Sequence, residues 1–262
     1  MLTKTKTLTG YTLKSLDGEI GTVKEFYFDD QHWTVRYLVA DTGIWLPGRQ
    51  VLISPHALGT VIKDEKHISV SLTRQQIADS PSLDSDKPVS RQFEEAYYDY
   101  YSWPMYWTGP FAWGDYPYIV RDDEIRKIST PINKMGDAHL RSTHEVSGYH
   151  IQAKDGEIGH VDDFIIDDET WTIRYLIIDT HNWLPGKKVL ISPLWIDRVS
   201  WHDSKVFVNL SREDIIQSPE YTDWSILTRE FEVDLYQHYK RQGYWVVEPV
   251  ADDKSSVIKL ST

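Results

Sequence analysis

The sequence predicts a mostly β fold with short helices, built twice in tandem by internal duplication. The first observation is a repeat: when the chain is shifted by 138 residues, 27 of the 46 positions from 10 to 55 are identical, without a gap. The second is that each copy alternates short apolar segments with turn residues, which is typical of antiparallel β-structure. Two copies at so long a period indicate two domains, because a solenoid needs several shorter repeats.

The first strands of each copy flank a tight turn. The segment LDGEIG places Gly18 where a hairpin turn needs a positive φ. The later segment WTVRYLVAD is rich in β-branched and aromatic residues and predicts a strand. Strict alternation puts Val35, Tyr37 and Val39 on one face. Arg36 then lies on the other face among apolar neighbours, so both faces are mostly covered and we expect the sheet to curl as in a barrel.

The stretch that follows is the most similar between the copies. It reads WLPGRQVLISP at 45–55 and WLPGKKVLISP at 183–193. We expect Trp45 and Leu46 to cap the core, and the Pro-Gly pair after them predicts a turn. The VLIS segment is then a short strand, which the next proline ends.

Two short helices are expected at the end of each copy. Thr73 with Gln76 has the pattern of a capping box, and in the second copy Ser211 with Asp214 takes these positions. A second helix follows, with Ser90 and Thr228 as its N-caps in the two copies. In the first copy its aromatic residues have helical spacing and share one face. They are Phe93, Tyr97 and Tyr100 or Tyr101.

The ordered motifs resemble the PRC-barrel family, named after the cytoplasmic domain of the photosynthetic reaction-centre H subunit. They are GY-x(5)-DGEIG-x-V, then D-x(2)-W-x-[IV]-RYL-[VI]-x-D-T, then WLPG-x(2)-VLISP, and they occur in this order at 10–81 and 148–219. The resemblance implies two tandem small six-stranded β-barrels that act as adaptors and share no common catalytic residues. No apolar run here matches the membrane helix of the H subunit, so its specialised role does not transfer.

The repeat and the composition together predict the domain organisation. A first PRC-barrel-like domain with C-terminal helices covers residues 1–103. Residues 104–139 form an aromatic and then polar linker, and residues 140–248 form the second PRC-barrel-like domain. Residues 249–262 are polar and are expected to be a flexible tail.

The segment 96–118 is the most unusual part of the sequence, because it holds eleven aromatic residues interrupted by Pro and Gly. One interpretation is a stacking surface for a sugar, a base or another flat ligand. The interpretation that we favour is packing of the first barrel against the second or against another subunit. The candidate interface or ligand-surface residues are Tyr101, Trp103, Tyr106, Trp107, Phe111 and Trp113.

No motif predicts a catalytic residue, a cofactor or a metal. Adjacent acidic residues such as Asp29 and Asp30 are interpreted as part of a turn, because two carboxylates do not supply the ligands that a hard metal needs. Asp41 is interpreted as a turn-capping residue or as the partner of Arg36. The histidines lack metalloprotease spacing.

Composition restricts the possible partners and the compartment. The formal net charge of −12 disfavours nucleic acid and anionic membrane surfaces. The absence of cysteine fits a reducing compartment, and no apolar run is long enough to suggest membrane insertion, so we expect a cytoplasmic protein.

The sequence therefore predicts a non-enzymatic scaffold that binds a protein partner of unknown identity, with the two barrels paired within the chain. One alternative is a peripheral component of a membrane complex of photosynthetic or electron-transfer type, as the H-subunit resemblance suggests. Another is a small-ligand binder that uses the aromatic residues of 97–118.

Overall fold

The computed structural model describes five parts of the chain. They are residues 1–82, 89–107, 140–180, 187–222 and 227–246.

The two copies have the same series of elements. In the first copy, a strand and a helical turn precede the sheet: β1 (Leu2–Lys4) and α1 (Thr5–Leu8). The strands of its sheet are β2 (Thr12–Ser15), β3 (Gly18–Asp29), β4 (Thr34–Asp41), β5 (Val51–Ile53), β6 (Leu58–Ile62) and β7 (His67–Val70). Its helices are α2 (Arg74–Asp79) and α3 (Arg91–Tyr101).

The second copy repeats this order about 138 residues later. It begins with β8 (Leu140–Ser142) and α4 (Thr143–Val146). The strands of its sheet are β9 (His150–Ala153), β10 (Gly156–Asp167), β11 (Ile173–Asp179), β12 (Lys188–Ile191), β13 (Ile196–Ser200) and β14 (Lys205–Val208). Its helices are α5 (Arg212–Gln217) and α6 (Arg229–His238).

Each copy folds into one curved sheet with the same strand order. The first sheet runs β5-β4-β3-β2-β7-β6, and the second runs β12-β11-β10-β9-β14-β13. Only the β2–β7 and β9–β14 pairs within these sheets are parallel. The predicted mostly β fold with short helices in two tandem units is confirmed. Among the described strands, the first and last of each path do not pair, so neither sheet closes completely.

The helix caps follow the sequence signals. Thr73 and Gln76 form a capping box before α2, and Ser211 with Asp214 forms the equivalent box before α5. The hydroxyls of Ser90 and Thr228 accept hydrogen bonds from backbone amides at the start of α3 and α6. These local predictions are confirmed because a cap depends only on residues within one helical turn.

The two halves exchange their first segments. Strand β1 pairs antiparallel with β10 of the other half, with Leu2 opposite Asp167. Strand β8 pairs in the same way with β3, with Leu140 opposite Asp29. We call residues 2–8 the first arm and residues 140–146 the second arm. Each sheet thereby gains a seventh strand from the opposite half.

A second reciprocal contact joins the hairpins that precede β4 and β11. The amide of Val35 donates to the carbonyl of Trp171 at 2.8 Å, and the amide of Ile173 donates to the carbonyl of Trp33 at 2.7 Å. Both tryptophans have left-handed backbones, with φ values of 51° and 58°. Bulky residues rarely adopt this conformation, so the surrounding contacts must offset its cost.

Aromatic rings fill the space between the halves and supply such contacts. Trp33 stacks on Phe28 with ring centroids 5.2 Å apart, and Phe28 lies 5.6 Å from Phe164 of the other half. Trp171 lies 6.2 Å from Phe26. One continuous hydrophobic core therefore includes buried side chains from both halves.

One face assignment in β4 is wrong. Val35 belongs to the core shared between the halves, together with Leu38, whereas Tyr37 and Val39 belong to a second cluster on the opposite face of the sheet. The cause is a bulge: the register opposite β3 passes from Val35 directly to Tyr37, so Arg36 is the extra residue in β4. An extra residue in one strand reverses the alternation of side chains beyond it.

Candidate functional site

Helix α3 lays its aromatic face on the outer face of the first sheet. The rings of Tyr97 and Tyr98 are buried and pack with Tyr37 in a T-shaped arrangement. The Tyr97 hydroxyl donates to the carbonyl of Leu52 at 2.8 Å and accepts from the amide of Ser54 at 3.1 Å. The helix is thus attached to β5 by polar bonds as well as by apolar area.

After α3 the chain folds back over the same face. We call residues 102–107 the first strap. Trp103 stacks on Tyr101 with centroids 4.4 Å apart, and it also stacks on His56 at 5.6 Å. Burial raises the pKa of Tyr101 to about 12, so this phenol is neutral at ordinary pH. Burial, helped by the charge of Arg36, lowers the pKa of His56 and favours a neutral imidazole.

A buried carboxylate holds the strap in place. Glu94 of α3 is fully buried and accepts hydrogen bonds from the hydroxyls of Tyr37 at 2.9 Å and Tyr106 at 2.7 Å. Its second oxygen lies 2.9 Å from the guanidinium of Arg91. The carboxylate thus joins helix α3, the sheet and the strap through two hydrogen bonds and an ion pair, which is a structural role.

Two arginines stack on the strap. The guanidinium of the fully buried Arg36 lies 4.2 Å from the ring centroid of Tyr106, and that of Arg91 lies 4.1 Å from Trp107. Arg36 also bonds Asp29 at 2.6 Å. Burial alone would raise the pKa of Asp29, but the charge of Arg36 and the contacts of His32 outweigh it and lower that pKa.

The second half repeats this arrangement. Glu232 accepts from the hydroxyls of Tyr175 at 2.7 Å and Tyr244 at 2.9 Å, and it pairs with Arg229 at 2.9 Å. Arg174 stacks on Tyr244 at 4.2 Å. We call residues 240–245 the second strap. Because the same contacts occur in both halves, we interpret the carboxylate and its partners as the attachment of each strap to its sheet.

The structure thus brings four of the predicted aromatic residues together. Tyr101, Trp103, Tyr106 and Trp107 lie side by side on the outer face of the first sheet, where Tyr106 is buried and the other three are half-buried. Phe111 and Trp113 lie outside the described residues. Whether the four serve as an interface or ligand surface stays a prediction. The sequence reasoning missed Glu94, although its identity with Glu232 at the repeat spacing was an available signal.

The acidic residues have structural partners. Asp29 was assigned to a turn, but it ends β3 and is buried against Arg36, whereas Asp30 pairs with Arg141 of the second arm at 3.1 Å. Asp41 accepts from the amide of Gly43 at 3.0 Å, which is the turn-capping role. Across the described ranges, no cluster of three or more potential metal ligands occurs.

One exposed apolar feature escaped the sequence reasoning. In the loops that follow β2 and β4, Leu16 is 70% exposed and Ile44 is 98% exposed. The repeat positions in the second copy hold the polar residues Lys154 and Asn182. We call Leu16 together with residues 44–46 the apolar loop end. The difference between the copies was readable from the sequence, but the exposure was not.

The comparisons agree with the β architecture. The family model for the PRC-barrel domain matches residues 140–215, which confirms the resemblance drawn from the motifs. The match suggests a scaffold or partner-binding role, and PRC-barrel domains are generally non-catalytic. No curated protein matches the chain. Among the helices in the described part of the chain, none is long and apolar enough to cross a membrane.

Proposed function

We propose that the protein is a non-enzymatic scaffold that binds a protein partner through the apolar loop end of its first half. The observation that carries the proposal is the exposure of Ile44 and Leu16 in one copy only. Exposed large apolar side chains that cluster on one surface favour protein binding, whereas scattered ones need no explanation.

Two contacts of Arg74 hold the loop end together. The amide of Arg74, at the start of α2, donates to Asp17 at 2.7 Å, which fixes the turn next to Leu16. The guanidinium of the same arginine lies 4.9 Å from the ring centroid of Trp45. Arg74 therefore joins the turn that carries Leu16 to the loop that carries Ile44.

The loop itself has its own hydrogen bonds. The Thr42 hydroxyl donates to the carbonyl of Leu46 at 3.1 Å, and the amide of Trp45 donates to the carbonyl of Thr42 at the same distance. Ile44 is thus held outward by an ordered loop. A preorganised loop loses little conformational entropy when a partner covers it.

The shared core also fixes the orientation of the two halves relative to each other, which suits a scaffold. Two kinds of contact cross the junction between the halves. They are the exchanged arms and the reciprocal backbone hydrogen bonds, which join Trp33 to Ile173 and Trp171 to Val35. A partner bound to the first half would therefore be held in a set orientation to the second half.

The test replaces the apolar loop end with the residues of the other copy. The double variant Leu16→Lys, Ile44→Asn is used as bait in native extract, and captured proteins are quantified against the unchanged chain. The matched control is Leu194→His, which also gives an exposed leucine the residue of the other copy. We expect the double variant to capture at least about tenfold less of the partner than the unchanged chain, which is the effect of losing one interface anchor. Equal capture by both variants would contradict the proposal.

Membership of a membrane-bound complex is an extension of this proposal. A partner embedded in the bilayer would carry the protein to the membrane fraction through the same loop end. Fractionation of cells that express the untagged chain tests it, and the double variant should then move to the unbound fraction.

A further inference from the structure

A cavity of about 340 Å³ lies where the first arm meets the second half. Its apolar lining comes from Leu2, Ile165, Tyr221 and Leu227, and its cationic lining comes from Lys4 and Lys63. Lys63 belongs to the first half, so both halves contribute to the wall. Small-molecule sites commonly occur at such junctions, with volumes from about 300 Å³ upward.

The other half provides an internal comparison. At the repeat position of Lys63 stands Trp201, and at that of Ile165 stands Tyr27. The Trp201 ring carries the guanidinium of Arg141, from the second arm, at 4.0 Å and lies 5.9 Å from the ring of Tyr149. Aromatic residues therefore stand at the second junction in the positions that Lys63 and Ile165 hold at the first.

Apolar lining that is open to water gains free energy when the apolar body of a ligand covers it. The lysine is particular to this junction, because the repeat position holds Trp201. A lysine next to an apolar floor matches a ligand that has an apolar body and one negative end.

The ammonium of Lys63 has capacity for such a ligand. It lies 3.0 Å from the sulfur of Met1 and 3.6 Å from a carboxylate oxygen of Asp168, while an ammonium group offers three donors. Asp168 offsets part of the positive charge, so the electrostatic gain is modest. Lys4 adds a second positive charge to the lining.

We propose that this cavity binds a small anionic amphiphile, an unbranched acyl chain that ends in a carboxylate. The acyl chain lies along Leu2 and Leu227, and the carboxylate accepts a hydrogen bond from the Lys63 ammonium. This site is separate from the apolar loop end and does not depend on it.

The test is isothermal titration of the full chain with decanoate, below the concentration at which decanoate forms micelles. Decyltrimethylammonium serves as the cationic probe of equal chain length. We expect saturable binding of decanoate with one site, and weaker binding of the cationic probe by at least about fivefold, which is the scale of one partly screened charge contact.

Two variants locate the site. Lys63→Met removes the positive charge. It should lower the affinity for decanoate about five- to tenfold and should not lower the affinity for the cationic probe. Lys63→Trp introduces the residue of the equivalent junction and should abolish binding of both probes. Lys14→Met, at a half-exposed lysine of β2, is the control and should leave the affinity for decanoate unchanged.

The proposal is overturned if decanoate shows no saturable binding, or if Lys63→Trp binds it as tightly as the unchanged chain. Equal affinity for the anionic and cationic probes overturns the assigned charge preference. Thermal unfolding of each variant without ligand separates loss of binding from loss of the fold.

Discussion

Replacing Glu232 by Gln tests whether the buried carboxylate holds the second strap for structural reasons. The side chain is 2% exposed, and it accepts hydrogen bonds from Tyr175 and Tyr244 while it pairs with Arg229. Glutamine keeps the shape and one acceptor oxygen but removes the charge. It also places an amide donor where the carboxylate accepted.

The magnitude follows from these contacts. A hydrogen bond to a charged group contributes about 1.5–3 kcal/mol and a neutral one about 0.5–1.5 kcal/mol, so each tyrosine bond loses about 1–1.5 kcal/mol. Arg229 is half exposed, and its ion pair adds at most about 1 kcal/mol. We therefore expect Glu232→Gln to lower the free energy of unfolding by about 2–4 kcal/mol.

Urea unfolding at pH 7 measures the change. With a denaturant slope of about 3 kcal/mol per molar, the midpoint should fall by about 1 M. Glu230→Gln is the matched control, because this exposed glutamate belongs to the same first turn of α6. It should change the free energy of unfolding by less than about 0.5 kcal/mol. If the two variants have the same midpoint, the buried carboxylate contributes no more to stability than the exposed one, and the reasoning is wrong.

Two further predictions concern other parts of the fold. Gly21→Ala should destabilise the protein by more than about 3 kcal/mol, because the new methyl group would lie 2.0 Å from the carbonyl oxygen of Asp41. Gly10 has open space around it, so Gly10→Ala should destabilise the protein by only about 1–2 kcal/mol. Thermal unfolding of both variants measures the difference. The pKa of Asp29 is lowered in the folded state, so the stability that it contributes is present above its unfolded pKa and is lost as pH falls through the folded pKa. Asp29→Asn should therefore flatten the decline of the free energy of unfolding between pH 5 and pH 3. An unchanged decline would refute this.

Sequence reasoning recovered the parts of the fold that depend on short-range signals. The capping residues Thr73 and Ser211 and the turn at Gly18 are read from neighbours only a few positions apart. The repeat itself established the two units, because identical residues at one spacing must serve the same local conformations.

The candidate site was recovered only in part. The aromatic residues from Tyr101 to Trp107 were recognised by their density, but the carboxylate beneath them was not, since a glutamate in a helix reads as an exposed residue until its surroundings are known. The predicted face of Val35 was also wrong. A bulge depends on the pairing with the neighbouring strand, and the residue pattern of the bulged strand alone does not reveal it.

By itself, the sequence determined that this protein is a duplicated, mostly β chain with capped helices and a family motif written twice. Only the tertiary structure decided that each arm pairs with the opposite sheet, that Asp29 is buried against Arg36, and that Ile44 points into solvent while a cavity opens beside Lys63. The physical reason is range: turns and caps are fixed by bonds within a few residues. Strand exchange arises from contacts between segments more than a hundred residues apart, and burial and cavities depend on how whole elements pack.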